Sequence, residues 1–332
     1  MTGAPPGRLD RWATAEAFGS GVVARDAVRD VVVVRGPDAG SFLQGQCTQD
    51  LSGLEPGGVA DALVLSVQGK VVALVRCWRR TADELVLETA AGYGEALAER
   101  LRRFKIRVKV ELEGASWPLV EVRGPDATAL AEPGGFGIAV PTRSGWPSLD
   151  LLGEATGLAD GVARGDEATF EAARCEAGLP AMGSELDEGT IPYEAGMVEW
   201  TVSFTKGCYT GQELVARLDA RGARVPRLLR GVVGPGAAAS GGSGAVGSGA
   251  VGSGAGGSGP AVGWVLADGE RELGRVTSAA FSPFRDATVA LAYVRRAVDP
   301  PAVLTARPAD GEPGEPVSVR IEQLPLRGAA PG

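Results

Sequence analysis

The residue of this sequence best suited to chemistry is a cysteine with polar and charged neighbours. Cys208 lies in the segment KGCYTGQE, residues 206–213. Thr210 and Glu213 have the T-x-x-E spacing of a capping box, which predicts that a helix starts at Thr210. The positive end of that helix and the ammonium of Lys206 would both favour a thiolate. The segment therefore predicts a thiol that ionises more readily than an ordinary cysteine, with a buried structural cysteine as the alternative.

The residue types that are missing narrow the chemistry further. The chain contains no histidine, which removes the usual general base and the commonest metal ligand. The other cysteines, Cys47, Cys77 and Cys175, are widely spaced and form no Cys-x-x-Cys pair. Such spacing supplies no zinc or iron–sulfur cage. We therefore predict no metal site built by this chain alone.

Net charge and hydropathy predict the compartment of the protein and the classes of partner that it lacks. The formal net charge is −8, which argues against non-specific nucleic-acid binding but leaves room for a local basic patch. No apolar run is long enough to span a bilayer, and residues 1–21 have no apolar signal core. We predict a cytoplasmic protein with reduced thiols and with neither nucleic acid nor membrane as a partner.

Regular elements must position the cysteine segment, and the periodicity of apolar residues predicts them. Helical spacing of Leu97, Leu101 and Phe104 predicts a helix, and strict alternation over 106–112 predicts a half-buried strand. A strand-like stretch, 202–204, precedes the cysteine. Further strands are predicted at 62–67, 71–78 and 84–89, and a further helix at 170–177.

The tetrapeptide Arg-Gly-Pro-Asp occurs twice, at 35–38 and at 123–126, each time after an apolar run. In the first copy Pro37 fits the first position of a helix, where its missing N–H costs nothing. Phe42 and Leu43 would then face inward. Two such strand–turn–helix units suggest related halves of one α+β domain.

The second half of the chain predicts a different kind of domain. Residues 237–260 are nearly all Gly, Ser, Ala and Val, a composition typical of a flexible loop. Short strands predicted at 262–266, 274–278, 287–294 and 317–321 indicate a small β-barrel. We therefore expect an α+β region over 1–225 and a C-terminal barrel over 226–325, interrupted by the loop.

The cysteine segment resembles the K-G-C-Y-x-G-Q-E signature of YgfZ-type folate-binding proteins, which are related to the glycine-cleavage T-protein, an aminomethyltransferase. The resemblance covers nearly the whole chain except the Gly/Ser loop and the two tails. It extends to the segments 42–50 (FLQGQCTQD), 174–180 (RCEAGLP), 191–197 (IPYEAGM), 221–222 (RG) and 274–278 (GRVTS).

The resemblance implies a T-protein-like fold of three subdomains around a central cavity that receives tetrahydrofolate. It also implies an accessory role in assembling or repairing iron–sulfur enzymes, in which the signature cysteine matters. The expected partners are therefore a folate derivative and iron–sulfur client or assembly proteins.

The same resemblance suggests which residues hold the folate. A carboxylate can accept two adjacent pterin N–H groups. Glu194 is the first candidate for this role and Glu176 the second, with a solvated or helix-capping carboxylate as the alternative for each. Lys206 or Arg227 would meet the anionic glutamate tail. Tyr193 and Tyr209 would stack on the pterin or simply fill core.

One departure from the T-protein bears on activity. The T-protein handles the folate amine with an aspartate in a G-x-x-D-D-like stretch, and the matching stretch here begins at Gly69. Val72 and Ala73 stand where the acidic pair would be, so a classical aminomethyltransferase is not expected. A transferase that uses another carboxylate, and a non-catalytic scaffold, remain as alternatives.

Overall fold

The computed structural model describes residues 7–131, 138–139, 145–236 and 259–326. Within these ranges the chain forms a seven-stranded antiparallel sheet and a closed barrel of six strands, with helices packed against both. The expected α+β class is therefore confirmed. Most of the predicted loop, residues 237–258, lies outside the described residues.

The N-terminal half is built on the antiparallel sheet, whose strand order is β2-β3-β4-β1-β5-β7-β6. Val31 to Val34 of the central strand β1 are all buried, because both faces of the sheet are covered at this point. The strands are β1 (Val23–Arg35), β2 (Val59–Leu65), β3 (Val71–Thr81), β4 (Glu84–Ala90), β5 (Glu111–Arg123), β6 (Ile138–Ala139) and β7 (Ser148–Leu152).

Helices α2 (Ala39–Gln44) and α3 (Gly94–Phe104) cover one face of this sheet. Their buried side chains, including Phe42, Leu43 and Leu97, pack against alternate residues of β1 to β4 in one apolar cluster. The predicted helix at 97–104 and the inward orientation of Phe42 and Leu43 are thereby confirmed. The predicted β2–β3 hairpin and the strand at 84–89 are confirmed as well.

Three local predictions in this half are wrong. The alternating residues 106–110 are not a strand, because β1 ends at Arg35, whose register partner Glu111 begins β5, and no further partner is available. Helix α2 begins at Ala39 and not at Pro37, and Asp38 is its N-cap residue. Residues 202–204 form no strand; they follow the short helix α5 (Val198–Thr201).

Helices α1 (Arg11–Ser20), α4 (Glu167–Ala177) and α6 (Gln212–Ala220) complete the helical part. The predicted helix at 170–177 is confirmed as the body of α4. This helix packs on two strands of the C-terminal barrel. A connecting segment, residues 178–197, runs from the end of α4 to α5.

The C-terminal half is the closed barrel, with strand order β10-β11-β8-β13-β12-β9. The strands predicted at 274–278, 287–294 and 317–321 are present. The strand predicted at 262–266 begins only at Val265, because residues 262–263 form a turn. Strands β8 and β12 were not predicted. The strands are β8 (Arg227–Val233), β9 (Val265–Asp268), β10 (Arg271–Ser282), β11 (Ala287–Arg295), β12 (Ala302–Arg307) and β13 (Val317–Glu322). Since β8 and β9 lie on either side of residues 237–258, these residues connect two strands of one barrel.

No helix in the described ranges is both long enough and apolar enough to cross a bilayer.

Candidate functional site

The cysteine loop, residues 203–211, ends in a tight turn rather than in the predicted capping box. Helix α6 begins at Gln212, and Gly211 before it has a positive φ of 86°. A Cβ atom at Gly211 would lie 2.5 Å from the carbonyl oxygen of Ser66, so the turn requires glycine. The hydroxyl of Thr210 lies 3.4 Å from Oε1 of Gln46, and Gln212 instead accepts the N–H of Tyr209 at 3.1 Å. The loop therefore docks on the sheet edge before the helix starts.

Lys206 fastens the loop to the residues that follow α2. Its ammonium donates hydrogen bonds to the carbonyl oxygens of Gln44 at 2.7 Å, Cys47 at 2.8 Å and Gln49 at 2.7 Å. These carbonyls belong to the last residue of α2 and the turn beyond it, where oxygens lack helical partners. Burial lowers the pKa of Lys206, with Cys47 and Asp50 acting in the opposite direction. The three hydrogen bonds use all three N–H groups of the ammonium.

Cys208 differs from the other three cysteines in being exposed. Cys47, Cys77 and Cys175 are fully buried, and burial raises the pKa of each, to about 12 for Cys47. Since all four cysteines lie in the described ranges, Cys208 is the thiol that a reagent or a partner protein can reach. The alternative of a buried structural cysteine does not hold for this residue.

A second cation, Arg100 of α3, lies under the same loop. Its side chain is 7% exposed, and it donates to the Leu65 carbonyl at 2.8 Å and to Oε1 of Gln46 at 3.1 Å. Burial lowers the pKa of Arg100 to about 10. Among the described residues no carboxylate forms a salt bridge with Arg100 or Lys206. Two cations without a salt-bridge partner among the described residues therefore lie beneath the loop that carries Cys208.

Glu194 lies where the connecting segment meets the barrel. Its side chain is 5% exposed, and its Oε2 atom accepts a hydrogen bond from Nε of Arg227 at 2.9 Å. The Arg227 guanidinium also lies 4.3 Å from the ring centroid of Tyr293. The structure therefore brings Glu194 and Arg227, two of the predicted folate contacts, together as an ion pair beside an aromatic ring.

The two predicted aromatic contacts are neighbours but differ in environment. The Tyr193 hydroxyl donates to Oδ1 of Asp219 on α6 at 2.8 Å, and burial is the main cause of its raised pKa. Tyr209 is buried in the apolar cluster beneath the cysteine loop, and this burial raises its pKa to about 12. Tyr209 therefore fills core, whereas Tyr193 is partly accessible.

Glu176 occupies a different place from the other predicted residues. It is fully buried, its Oε1 accepts a hydrogen bond from the Ser282 hydroxyl, and Nε of Arg285 lies 3.6 Å from the same oxygen. Its carbonyl oxygen also accepts the N–H of Leu326 at 2.7 Å. These contacts join α4 to the barrel, and none of them links Glu176 to Glu194 or to the cysteine loop.

Sequence reasoning missed Glu185, whose side chain is completely buried between the connecting segment and the barrel. Its Oε1 accepts hydrogen bonds from Thr277 at 2.6 Å and Ser278 at 2.7 Å. Its Oε2 accepts from Arg174 at 3.0 Å. Its partners Arg174, Thr277 and Ser278 lie in segments 174–180 and 274–278, which resemble the family. The spacing of residues along the chain gave no indication that Glu185 contacts them.

The site can thus offer an accessible thiol and, on the barrel side, a buried carboxylate with an arginine and tyrosines. Within the residues that the structure describes, no three Cys, Asp or Glu side chains converge as metal ligands. An iron–sulfur cluster that met Cys208 would therefore need its remaining ligands from another molecule.

Comparisons with known proteins agree with this architecture. Residues 260–327 match the glycine cleavage T-protein C-terminal barrel domain. The crystal structure of the glycine cleavage system aminomethyltransferase T from Bartonella henselae superposes with a TM-score of 0.77, covering 96% of this chain and 90% of that one at 18% identity. That identity is low enough that the superposition shows a shared fold and no more.

Three relatives extend the comparison to sequence. An aminomethyltransferase of Rubrobacter xylanophilus is 29% identical, covering 89% of this chain and 78% of its own. The iron-sulfur cluster assembly factor IBA57, mitochondrial, of Mus musculus is 33% identical, with 60% of this chain and 63% of its own covered. The tRNA-modifying protein YgfZ of Pectobacterium atrosepticum is 29% identical, with 57% and 63% covered. The last two are thus matched over slightly less than two thirds of their own length.

The T-protein-like fold that the resemblance implied is confirmed by the barrel match and the superposition. The chain therefore shares the fold of the glycine-cleavage T-protein and carries that protein's type of C-terminal barrel. In sequence it is similar to an aminomethyltransferase, to YgfZ and to IBA57.

Proposed function

We propose that this protein is a tetrahydrofolate-binding accessory factor in iron–sulfur cluster assembly or repair, with Cys208 as the thiol that meets the cluster or a partner protein. The observation that carries the proposal is the position of Cys208. It is the exposed cysteine, and its loop is anchored by Lys206 to three carbonyl oxygens. An accessible thiol on an anchored loop can be offered in one orientation to a partner.

The folate half of the proposal depends on Glu194. Bound tetrahydrofolate would supply a pterin carrying one-carbon units on its nitrogens. A buried carboxylate is well suited to accept two pterin N–H groups, because charge-assisted hydrogen bonds strengthen away from water. Arg227 holds one Glu194 oxygen and thereby fixes the carboxylate, while Tyr193 offers a partly accessible ring beside it. Glu176 is not included, because its carboxylate joins α4 to the barrel.

Anaerobic calorimetric titration with tetrahydrofolate tests this half. We expect saturable binding by the natural chain and at least a tenfold higher Kd for Glu194→Gln. The matched control is Glu176→Gln, a second buried carboxylate, which should change Kd less than twofold although it lowers stability. Equal effects of the two substitutions would remove Glu194 from the site, and a natural chain without saturable binding would remove folate altogether.

Alkylation by iodoacetamide tests the thiol half. One of the four thiols should react rapidly in the folded protein, and Cys208→Ala should abolish that fast phase. The rate against pH then measures how readily Cys208 ionises, which the sequence predicted to be easier than usual. If Cys208→Ala fully restores iron–sulfur enzyme activities to a strain lacking the protein, the scaffold alternative replaces the present proposal.

A folate-dependent aminomethyl or one-carbon transferase is the second candidate, favoured by the aminomethyltransferase that aligns over 89% of this chain. Against it, β3 carries no carboxylate, and the acidic side chains around Arg76, namely Asp61, Glu88 and Asp150, already form salt bridges with that arginine. Turnover of aminomethyl donors with tetrahydrofolate would establish the transferase, and its absence across donors would eliminate it.

A further inference from the structure

An unusual concentration of positive charge lies at the end of α3. The basic segment, residues 102–109 (RRFKIRVK), contains five cations and no acidic residue in a chain whose net charge is −8. Every one of these cations is exposed. The segment therefore opposes the sign of the rest of the molecule, and net charge alone conceals it.

Most of this charge is not neutralised inside the protein. Arg102 pairs with Glu95 at 2.8 Å on the surface. Among the described residues, no carboxylate forms a salt bridge with the other four cations, which are Arg103, Lys105, Arg107 and Lys109. Since exposed arginines and lysines of folded proteins often find a surface carboxylate, four unpaired cations in seven residues leave a local positive field.

The unpaired cations follow one another closely along the chain. After α3 ends, Lys105, Arg107 and Lys109 occupy alternate positions of a non-helical stretch that bends at residues 106 and 107, where Arg107 has a positive φ of 56°. Closely spaced cations suit a ligand that carries several negative charges, as a phosphate backbone does. A surface cleft of about 450 Å³ lies beside them and is lined by Lys105, Lys109 and Glu111 among others. Arg35 also lines it, but its guanidinium already pairs with Glu84 and Glu113.

The composition of this surface favours phosphates over an acidic protein. Protein–protein interfaces have an apolar centre from which charges, and lysine above all, are depleted. Here Ile106 is 71% exposed, but it is flanked by Lys105 and Arg107, and no larger apolar patch surrounds it within the segment. Contacts to a phosphate backbone, in contrast, require only unpaired cations.

A relay of contacts connects the basic segment to the cysteine loop. Arg100, two residues before the segment, lies 4.0 Å from the ring centroid of Phe104. The same guanidinium bonds to Gln46, whose Oε1 atom lies 3.4 Å from the Thr210 hydroxyl.

Contrary to the prediction from net charge that nucleic acid is not a partner, we propose that residues 102–109 form a binding surface for the phosphate backbone of a single-stranded nucleic acid. Binding is electrostatic and independent of base sequence, because the surface presents cations and no set of side chains arranged to read base edges. The inference stands on the charge distribution alone and does not require folate binding or a reactive Cys208.

The test is fluorescence anisotropy of a labelled 20-nucleotide RNA of mixed sequence, titrated with the full chain at 50 and 200 mM KCl. If four phosphates are neutralised, log affinity falls with log salt at a slope of about −3, which makes binding roughly 50-fold weaker at the higher salt. Replacing the four unpaired cations together (R103Q/K105Q/R107Q/K109Q) should weaken binding at 50 mM KCl more than tenfold.

The matched control removes the same charge from exposed arginines of the barrel (R271Q/R275Q/R295Q/R320Q) and should weaken binding less than threefold. Thermal unfolding of both variants checks that each is folded. Equal losses in the two variants, or no RNA binding by the natural chain at 50 mM KCl, would overturn the proposal. Poly-L-glutamate that binds as tightly as RNA would also overturn it and assign the surface to an acidic protein.

Discussion

Positively charged side chains are buried both on the sheet face opposite α2 and α3 and beneath the cysteine loop. The groups that hydrogen-bond to them differ between the two regions. On the sheet, Asp150 accepts hydrogen bonds from Arg76 and Arg123, each at 2.8 Å. Beneath the cysteine loop, Lys206 and Arg100 donate mainly to backbone carbonyls, and no described carboxylate pairs with them. One region is an ion-pair network, whereas the other is a set of cations held by neutral oxygens.

This difference has an electrostatic consequence. A cation paired with a carboxylate adds little to the local field, and breaking such a buried pair costs stability. A cation held by carbonyl oxygens is not neutralised by its partners. Because its burial removes water from the charge, its pKa falls, as it does for Arg100 and Lys206. Positive charge is therefore kept beneath the cysteine loop and neutralised on the sheet.

The largest expected effect comes from breaking the ion-pair network. Asp150→Asn should lower the free energy of unfolding by about 4 kcal/mol, because Arg76 and Arg123 would lose a buried counter-charge. Urea denaturation measures the change. The control is Asp26→Asn, which removes the 65% exposed partner of Arg164 and should cost less than about 1 kcal/mol. Similar costs for the two would mean that burial does not strengthen the Asp150 pairs.

A somewhat smaller effect is expected where the cysteine loop docks. Gly211→Ala should cost about 3 kcal/mol, since it adds a strained backbone and a contact with the Ser66 carbonyl. The control, Gly222→Ala, has a φ of 69° but open space around its Cβ position, so only about 1 kcal/mol is expected. If the two variants unfold at the same urea concentration, the loop is not tightly docked.

The anchoring of the loop by Lys206 gives the next prediction. Lys206→Met should cost about 2 kcal/mol, because three carbonyl oxygens lose a charged donor. It should also speed proteolytic cleavage within residues 203–211. Lys70→Met is the control, since Lys70 donates to the Gly189 carbonyl alone at 2.9 Å; its cost should stay below about 1 kcal/mol. An unchanged cleavage rate in Lys206→Met would show that the loop is held by other contacts.

The last prediction concerns stability at acid pH, and its effect at neutral pH is the smallest of the four. Arg123 and Arg76 lower the pKa of Asp150 and outweigh the burial that raises it; Arg25 does the same for the pKa of Glu121. A carboxyl with a lowered folded-state pKa contributes full stability above its unfolded pKa of about 4 and loses it as pH falls further. Urea denaturation should therefore show no loss from pH 7 to 5 and a steep loss below 4. Asp150→Asn should make that loss shallower, and an unchanged slope would contradict the assignment.

Much of the fold could be read from the sequence where local pattern and tertiary context agree. Leu97, Leu101 and Phe104 form a helix as their spacing predicted, and the β2–β3 hairpin turns where expected. The prediction failed at residues 106–110, since alternation indicates a strand only if a neighbouring strand is available, and β1 has ended by then. It failed again at Thr210, whose hydroxyl lies 3.4 Å from Oε1 of Gln46, while α6 begins after Gly211 without a side-chain cap.

The sequence by itself determined the α+β class, the barrel and the segment that carries Cys208, because these follow from periodicity and residue type. Only the tertiary structure decided that Cys208 is exposed and that Lys206 binds carbonyl oxygens. It also decided that Glu176 lies where α4 meets the barrel, whereas Glu194 lies where the connecting segment meets the barrel. Exposure and pairing depend on residues more than a hundred positions apart, such as Lys206 and Gln44. No local pattern encodes contacts over that separation, since they arise only when the sheet, the helices and the barrel pack together.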